Sequence, residues 1–162
     1  MTQNATSEAS SNWNDTLTHV LWRAQNAVHR QVQDRLSELD VTATQLGLAV
    51  HLQELGPLSA ADLSRRFQLT PQSVGTALGR VEKLGWVVRR RHPVNRRVVL
   101  YVLTDAGLAG IARGREIMVS VNEAIVAAID HDELSNLLAS LRTVTEYIDG
   151  PDIEVGGWGA LS

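Results

Sequence analysis

Apolar residues recur every three or four positions along most of the chain, and turn and cap signals divide them into segments. The first apolar stripe covers residues 17–39 and predicts a long helix over about residues 13–39. The next segment, about residues 42–55, is apolar on nearly every side. Because such a helix has no face suited to water, we expect it to lie at the centre of the fold.

Two more apolar stripes follow in the second half of the chain. They predict one helix that is capped by Thr104 and extends to about residue 129, and a last helix over about residues 132–149. Asp130, His131 and Asp132 separate the two helices as a break and a cap.

Between the first two and the last two helices, the sequence has the signals of two short helices joined by a tight turn. Ser59 is placed as a cap, and Asp62 three residues later imitates a capping box. This helix extends to about Arg66, and residues 68–69 are the turn before the next helix. The spacing is typical of a helix-turn-helix.

The second short helix has two chemically different faces. Thr70 caps it, Pro71 fits its first position and Gly85 ends it. Its buried stripe is predicted to be Val74, Ala77, Leu78, Val81 and Leu84. Its polar face consists of donors on short or flexible side chains: Gln72, Ser73, Thr76, Arg80 and Lys83. That face suits a helix in the DNA major groove, although a merely solvated face has the same composition.

A basic hairpin follows this helix. Residues 86–91 and 97–103 are rich in β-branched and aromatic residues, and residues 92–96 lie between them as a turn. A helix, a turn, a helix and a basic hairpin in this order make a winged helix-turn-helix.

At this point the chain resembles the MarR (multiple-antibiotic-resistance regulator) family of bacterial transcription factors, over about residues 13–149. The family's wing signature is Asp-x-Arg followed by Leu-Thr-x-x-Gly, and this chain has Asn95-Arg96-Arg97 and then Leu103-Thr104-Asp105-Ala106-Gly107. The resemblance implies that Arg97 is the wing arginine that enters or approaches the minor groove. Because Asn95 replaces the usual acid, the ion pair that would brace this arginine becomes at best a neutral hydrogen bond.

The resemblance also implies the use of the long terminal helices, which exceed what a winged helix needs to be stable. In the resembling family the terminal helices of two subunits interlock into a dimer. The predicted fold is therefore mainly α with a small β-hairpin wing, a winged helix-turn-helix flanked by dimerisation helices. The predicted divisions are a flexible arm (1–12), an N-terminal dimerisation helix (13–41), the DNA-binding domain (42–104), C-terminal dimerisation helices (105–149) and a flexible tail (150–162) in which Trp158 could dock on a neighbour.

Charge is unevenly distributed along the chain, whose formal net charge is -3. Residues 57–103 contain nine arginines and lysines against two acids, whereas the rest of the chain contains six against sixteen. Basic charge concentrated on one module of an acidic protein is typical of DNA binding. A solvated charged face is the alternative, but it does not explain why acids avoid the same segment.

Other features narrow the class of protein. The chain has no cysteine, which excludes disulfides, thiolate metal sites and thiol redox sensing. The first twelve residues are polar and small, and no apolar run is long enough to cross a bilayer, so we expect a cytoplasmic protein.

The sequence gives no support to an enzyme. None of the five histidines forms a metal-ligand pair, and neither a Gly-x-Ser-x-Gly motif nor a phosphate-binding glycine loop is present. We therefore predict neither catalytic residues, nor metal, nor cofactor. A winged helix that binds only other proteins would have a neutral face, unlike this one.

We predict a homodimeric transcriptional regulator, most simply a repressor, that binds a pseudo-palindromic DNA operator. Gln72, Ser73, Thr76 and Arg80 would contact bases or the nearby backbone. The full set of predicted DNA-binding residues is Arg65, Arg66, Thr70, Gln72, Ser73, Thr76, Arg80, Lys83, Arg89, Arg90, Arg91, Arg96 and Arg97. A ligand-independent architectural or protein-interaction module is the alternative.

A small aromatic or phenolic anion is a possible inducer, because many members of the resembling family bind one between the dimer helices and the winged helix. The candidate ligand residues are His19, Trp22, Arg23 and His51. Trp22 lies among polar residues on the first helix and would face a second subunit, a bound anion or its own helix. For His51 the favoured alternative is a core or interface histidine that has a hydrogen-bond partner.

Overall fold

The computed structural model describes residues 13–150, which form a mainly helical fold with a small antiparallel sheet. The helices are α1 (Leu17–Leu36), α2 (Ala43–Leu55), α3 (Ala60–Phe67), α4 (Pro71–Lys83), α5 (Asp105–Val126) and α6 (His131–Asp149). The strands are β1 (Leu58–Ser59), β2 (Val87–Arg91) and β3 (Val99–Leu103). The predicted fold class is confirmed. The predicted arm, Trp158 and all of the predicted tail after Gly150 lie outside the described residues.

Helix α1 is shorter at both ends than the predicted helix over residues 13–39. Trp13–Asp15 form a 3-10 turn, and the Thr16 side chain then caps α1 by accepting a hydrogen bond from the backbone N–H of His19. At the other end Ser37–Leu39 form a second 3-10 turn. Asp40 follows in the left-handed conformation (φ 59°), so the chain changes direction there.

Helix α2 lies at the centre of the fold, as its composition predicts. Its buried residues are Leu46, Gly47, Leu48, Ala49, Val50 and Leu52. A complete capping box fixes its start. The Thr42 hydroxyl accepts from the backbone N–H of Gln45, and the side-chain oxygen of Gln45 accepts from the backbone N–H of Thr42. Across residues 13–150 no helix is sufficiently long and apolar to cross a membrane.

The caps predicted for the two short helices are present. Ser59 and Asp62 form the capping box of α3, and the hydroxyl of Thr70 accepts a hydrogen bond of 3.1 Å from the Ser73 backbone N–H at the start of α4. Between them Gln68 takes a left-handed conformation (φ 51°), which allows the two-residue turn.

The wing belongs to a three-stranded sheet in the order β1-β3-β2, of which β1 was not predicted. This strand has two residues and pairs Leu58 with Tyr101 in the middle of β3. Strands β2 and β3 pair from Val87 with Leu103 to Arg91 with Val99. The wing turn therefore covers residues 92–98 and is longer than predicted.

Thr104 joins the start of α5 to the end of α4. Its hydroxyl accepts from the Gly107 backbone N–H and donates to the carbonyl of Gly85 at 2.6 Å. Its backbone N–H donates to the carbonyl of Trp86 at 3.0 Å. These bonds satisfy the first turn of α5 and fix it directly against the segment that follows α4.

Glycines on one face of α5 permit a close approach of this helix to the rest of the domain. A Cβ at Gly107 would lie 2.2 Å from the carbonyl oxygen of Trp86, and one at Gly114 would lie 2.6 Å from a methyl carbon of Leu46. Ile111, on the same face of α5, is fully buried. The helix ends at Val126, before the predicted end at about residue 129.

Helix α6 begins and ends as predicted, with Asp130 as its cap. None of its residues is buried within the single chain. Its apolar stripe, which we call the α6 stripe, consists of Leu134, Leu137, Leu138, Leu141, Val144 and Ile148. On α1, Leu17 and Val20 are also exposed, although they belong to the predicted apolar stripe.

Candidate nucleic-acid interface

The polar face of α4 is exposed along its whole length, opposite a buried stripe. Val74, Leu78 and Val81 are fully buried, and the exposed residues are Gln72, Ser73, Thr76, Arg80 and Lys83. The amphipathic pattern therefore orients α4 with its hydrogen-bonding side chains toward solvent.

The hydroxyl groups on this face already have partners within α4. The Thr70 and Ser73 hydroxyl oxygens are 2.8 Å apart, and the Thr76 hydroxyl donates to the carbonyl of Gln72 at 3.0 Å. In the described part of the chain, the side-chain amide of Gln72 has no such partner. Gln72 is therefore more available to a base edge than these hydroxyl groups are.

Arg80 extends away from α4 toward the junction between α1 and α2. Its guanidinium forms an ion pair with the carboxylate of Asp40. The side chain therefore lies beside a shallow cleft of about 420 Å³ whose lining also includes Ser37, Thr42 and Thr76. This contact was not predicted, because 40 residues separate the two partners in sequence.

Arg89 links the wing to the end of α4. Its guanidinium lies 2.7 Å from a carboxylate oxygen of Glu82 and 5.6 Å from the centre of the Tyr101 ring. Arg89 was predicted to hold a phosphate, and in the free protein it occupies an ion pair and a cation–π contact instead. Arg90 and Arg91 are exposed on the same strand.

On α3, Asp62 of the capping box also pairs with Arg65, which was predicted to hold a phosphate. Hydrogen bonds from Ser59 lower the pKa of Asp62, and the charges of Arg65 and Arg66 act in the same direction. Asp62 is therefore ionised at neutral pH and forms an ion pair with Arg65. Both acids of the basic segment 57–103 are thus paired with arginines, Asp62 with Arg65 and Glu82 with Arg89.

Two side chains hold the tip of the wing. The Nδ1 atom of His92 accepts hydrogen bonds from the backbone N–H groups of Val94 at 3.2 Å and Asn95 at 3.1 Å. The side-chain oxygen of Asn95 in turn accepts from the backbone N–H of Arg97 at 3.2 Å. Asn95 thus braces the backbone of the wing with a neutral hydrogen bond and leaves the Arg97 guanidinium exposed.

The wing and the helices carry all thirteen predicted DNA-binding residues, and every one of them is exposed. Sequence reasoning did not find the partners that fix two of these residues, Arg80 and Arg89, or the wing turn: Asp40, Glu82, Tyr101 and His92. His92 carried the clearest signal, since a histidine next to Pro93 at the start of a turn can satisfy the turn's backbone N–H groups.

The four candidate ligand residues fall into two groups. His19 lies between Trp13 and Trp22, with ring centres 6.0 Å and 5.9 Å away, and Arg23 follows on the same helix. His51 packs on Phe67 at 4.6 Å, and its Nδ1 lies 3.1 Å from the carbonyl of Gly47. Within residues 13–150 no ring contact joins His51 to the first group.

Known proteins share both the sequence and the fold of this chain. The sequence profile of the MarR family matches residues 39–98. The HTH-type transcriptional repressor Rv2887 of Mycobacterium tuberculosis is 31% identical over 123 residues, which are 76% of this chain and 83% of the relative. The chain belongs to the MarR family. Its relatives are transcriptional regulators rather than enzymes, so this MarR chain is a winged-helix transcriptional regulator.

Solved MarR structures have the same architecture. Rv2887 of Mycobacterium tuberculosis, solved in complex with salicylic acid, superposes with a TM-score of 0.62 at 25% identity, over 80% of this chain and 96% of that one. A mutant MarR from E. coli, solved in complex with operator DNA, gives a TM-score of 0.68 at 22% identity, over 79% and 92%. The second likeness concerns the fold alone.

Proposed function

We propose that this MarR protein is a homodimeric repressor that binds a pseudo-palindromic operator through α4 and the wing. The observation that carries the proposal is the exposure of all thirteen basic and polar candidates on one module, in which both acids are paired with arginines. In this scheme Gln72, Ser73, Thr76 and Arg80 contact base edges or the nearby backbone in the major groove. The wing adds Arg96 and Arg97, and the other arginines and lysines hold phosphates.

Dimerisation is supported by the apolar surface that the terminal helices leave uncovered. Leu137 and Leu138 on α6 and Leu17 on α1 are more than 40% exposed in the single chain. Apolar surface of this extent on long helices is stabilised when a second subunit covers it. Two subunits related by twofold symmetry present two α4 helices, which fit half-sites about one helical turn apart.

Release from DNA by a small aromatic or phenolic anion is the second part of the proposal. Its support is the relative Rv2887, whose solved complex contains salicylic acid, together with the His19, Trp22 and Arg23 group on α1. In a dimer the partner subunit would complete the site that one chain leaves open. Such a ligand acts only if it binds more tightly to the dimer whose α4 spacing does not fit the operator.

Fluorescence anisotropy tests the DNA-binding proposal directly. The protein is titrated into duplex from the region upstream of its own gene and into a scrambled duplex, across a salt series. We expect tight, salt-dependent binding with a preference of roughly a thousandfold for the upstream duplex. Equal binding to both duplexes would favour an architectural role, and no binding at low salt would favour a protein-interaction module.

Arg97→Ala should weaken binding to the upstream duplex by about tenfold and make the salt dependence shallower by about one unit. The reason is that the Arg97 guanidinium is exposed at the wing and would meet the negative potential of the minor groove. The matched control is Arg113→Ala, which removes the same charge from an exposed ion pair on α5. Equal losses in the two variants would contradict a specific role for the wing.

Gln72→Ala should instead reduce sequence preference. We expect a loss of about tenfold on the upstream duplex and little change on the scrambled one, because a base contact contributes only where the correct base is present. Gln53→Ala, at an exposed glutamine on α2, is the control and should bind both duplexes like the wild type. If Gln72→Ala loses the same affinity on every sequence, Gln72 does not read bases.

A further inference from the structure

The ion pair between Arg80 and Asp40 is the one described contact that joins the polar face of α4 to the α1–α2 junction through charge. Asp40 is held by the backbone: it ends the 3-10 turn with φ 59° and ψ 30°, and its N–H donates to the carbonyl of Ser37. The Asp40 carboxylate therefore starts from a fixed point beside α4. Arg80 reaches it from the third turn of α4 and remains partly exposed.

The cleft around the pair contains no competing charge. Its lining consists of Gln33, Ser37, Asp40, Val41, Thr42, Gln45, Thr76 and Arg80. Asp40 is the only acid and Arg80 the only base in that set. The position of the Arg80 guanidinium in the free protein is consequently set by a single carboxylate.

The pair contributes little to the stability of the fold. The Arg80 side chain is 42% exposed and that of Asp40 is 67% exposed. Exposed ion pairs in solvent are weak, because water screens the attraction and ordering two side chains costs entropy. Because the pair stabilises the fold so little, another anion can easily displace the Asp40 carboxylate from Arg80.

We infer that Asp40 competes with DNA for Arg80 and so lowers the operator affinity of the protein. This inference depends on the proposed DNA-binding function. A guanidinium paired with the Asp40 carboxylate has to leave it before it can contact a guanine edge or a phosphate. DNA binding therefore includes the cost of breaking the pair, and Asp40 is a positioning residue that sets the affinity through Arg80.

Asp40→Asn tests the inference without straining the backbone, since asparagine tolerates the left-handed conformation as well as aspartate does. We expect the affinity for the upstream duplex to rise by about twofold to fivefold, the range that an exposed ion pair corresponds to. If the pair only held α4 in place, Asp40→Asn would loosen α4 and lower the affinity instead of raising it. Thermal unfolding is measured in parallel and should change little.

Two controls separate competition for Arg80 from a general change of charge. In an Arg80→Ala background, Asp40→Asn should leave the already reduced affinity unchanged. Glu38→Gln removes the same charge two residues away, where Glu38 pairs with Arg35 at 3.5 Å, and it should also leave the affinity unchanged. A double-mutant cycle between Asp40 and Arg80 then gives the coupling between them.

The outcomes distinguish this inference from the proposal on which it rests. Specific binding by the wild type with an unchanged or lower affinity for Asp40→Asn overturns the inference and leaves the proposed function standing. The inference is also overturned, and the proposed function left standing, if Asp40→Asn raises the affinity equally in the Arg80→Ala background or if Glu38→Gln raises it equally. Failure of the wild type to bind any duplex at low salt overturns both.

Discussion

Gly107→Ala should lower the free energy of unfolding by about 3 kcal/mol, the upper part of the usual range for overpacking. The new Cβ would lie 2.2 Å from the carbonyl oxygen of Trp86 and 2.8 Å from a methyl carbon of Leu103. The carbonyl cannot simply retreat, because it accepts a hydrogen bond from the backbone N–H of Thr104 at 3.0 Å. Either α5 separates from the segment that joins α4 to β2, or this hydrogen bonding is lost. Urea denaturation followed by circular dichroism measures the change.

Gly79→Ala is the matched control for this prediction. Gly79 also lies within a helix, but a Cβ there meets no atom within 4 Å. The substitution should raise stability by about 0.5–1 kcal/mol, since alanine loses less backbone entropy than glycine in a helix. Both variants are compared at one protein concentration, because oligomerisation shifts apparent stability. Equal stability of the two variants would contradict the close approach of α5 at Gly107.

The double variant Leu137→Glu with Leu138→Glu should convert the proposed homodimer to a monomer at micromolar concentration. Each leucine that an interface covers contributes about 1.5–3 kcal/mol, and a glutamate there must also be desolvated. Two substitutions per subunit act twice in a symmetric dimer, so we expect the dissociation constant to rise by at least about a thousandfold. Analytical ultracentrifugation measures the mass, and operator binding should fall with it.

Ala139→Glu provides the control for the α6 stripe, since position 139 lies on the opposite side of α6. It adds the same group to an exposed site and should leave the dimer intact. Circular dichroism should show all three proteins equally helical, because Leu137 and Leu138 do not belong to the core of the single chain. A wild-type monomer, or a double variant that remains dimeric, would contradict the role of the α6 stripe.

Local sequence signals predicted most of the fold because the helix ends are encoded in a few adjacent residues. Ser59, Thr70 and Thr104 each cap the helix at which they were predicted, and period and polarity gave the buried face of α4 correctly. Strand β1 was missed because two residues are too few for a period, and it exists only by pairing with β3. The early end of α5 was missed because apolar residues continue past Val126.

For the candidate interface, too, the features that depend on local sequence were predicted and those that depend on long-range packing were not. Exposure of the DNA-binding candidates followed from helix and hairpin patterns, which a sequence contains. The partners of Arg80 and Arg89 did not, because Asp40 and Glu82 come close to them only after the helices pack. A neutral hydrogen bond from Asn95 was predicted. That its side-chain oxygen accepts from the backbone N–H of Arg97 was not, because this depends on the conformation of the wing turn.

The bonds of Thr104 give α5 a mechanical role. Thr104 hydrogen-bonds to the carbonyls of Gly85 and Trp86, so the first turn of α5 is tied directly to the residues that follow α4. Helix α5 has 22 residues, and a helix of that length is a lever of roughly 33 Å. A tilt of α5 by about 5° about its C-terminal end would displace its first turn, which is bonded to the end of the α4 segment, by roughly 3 Å. A small rearrangement between the subunits of the proposed dimer would thus reach α4 directly through the hydrogen bonds of Thr104.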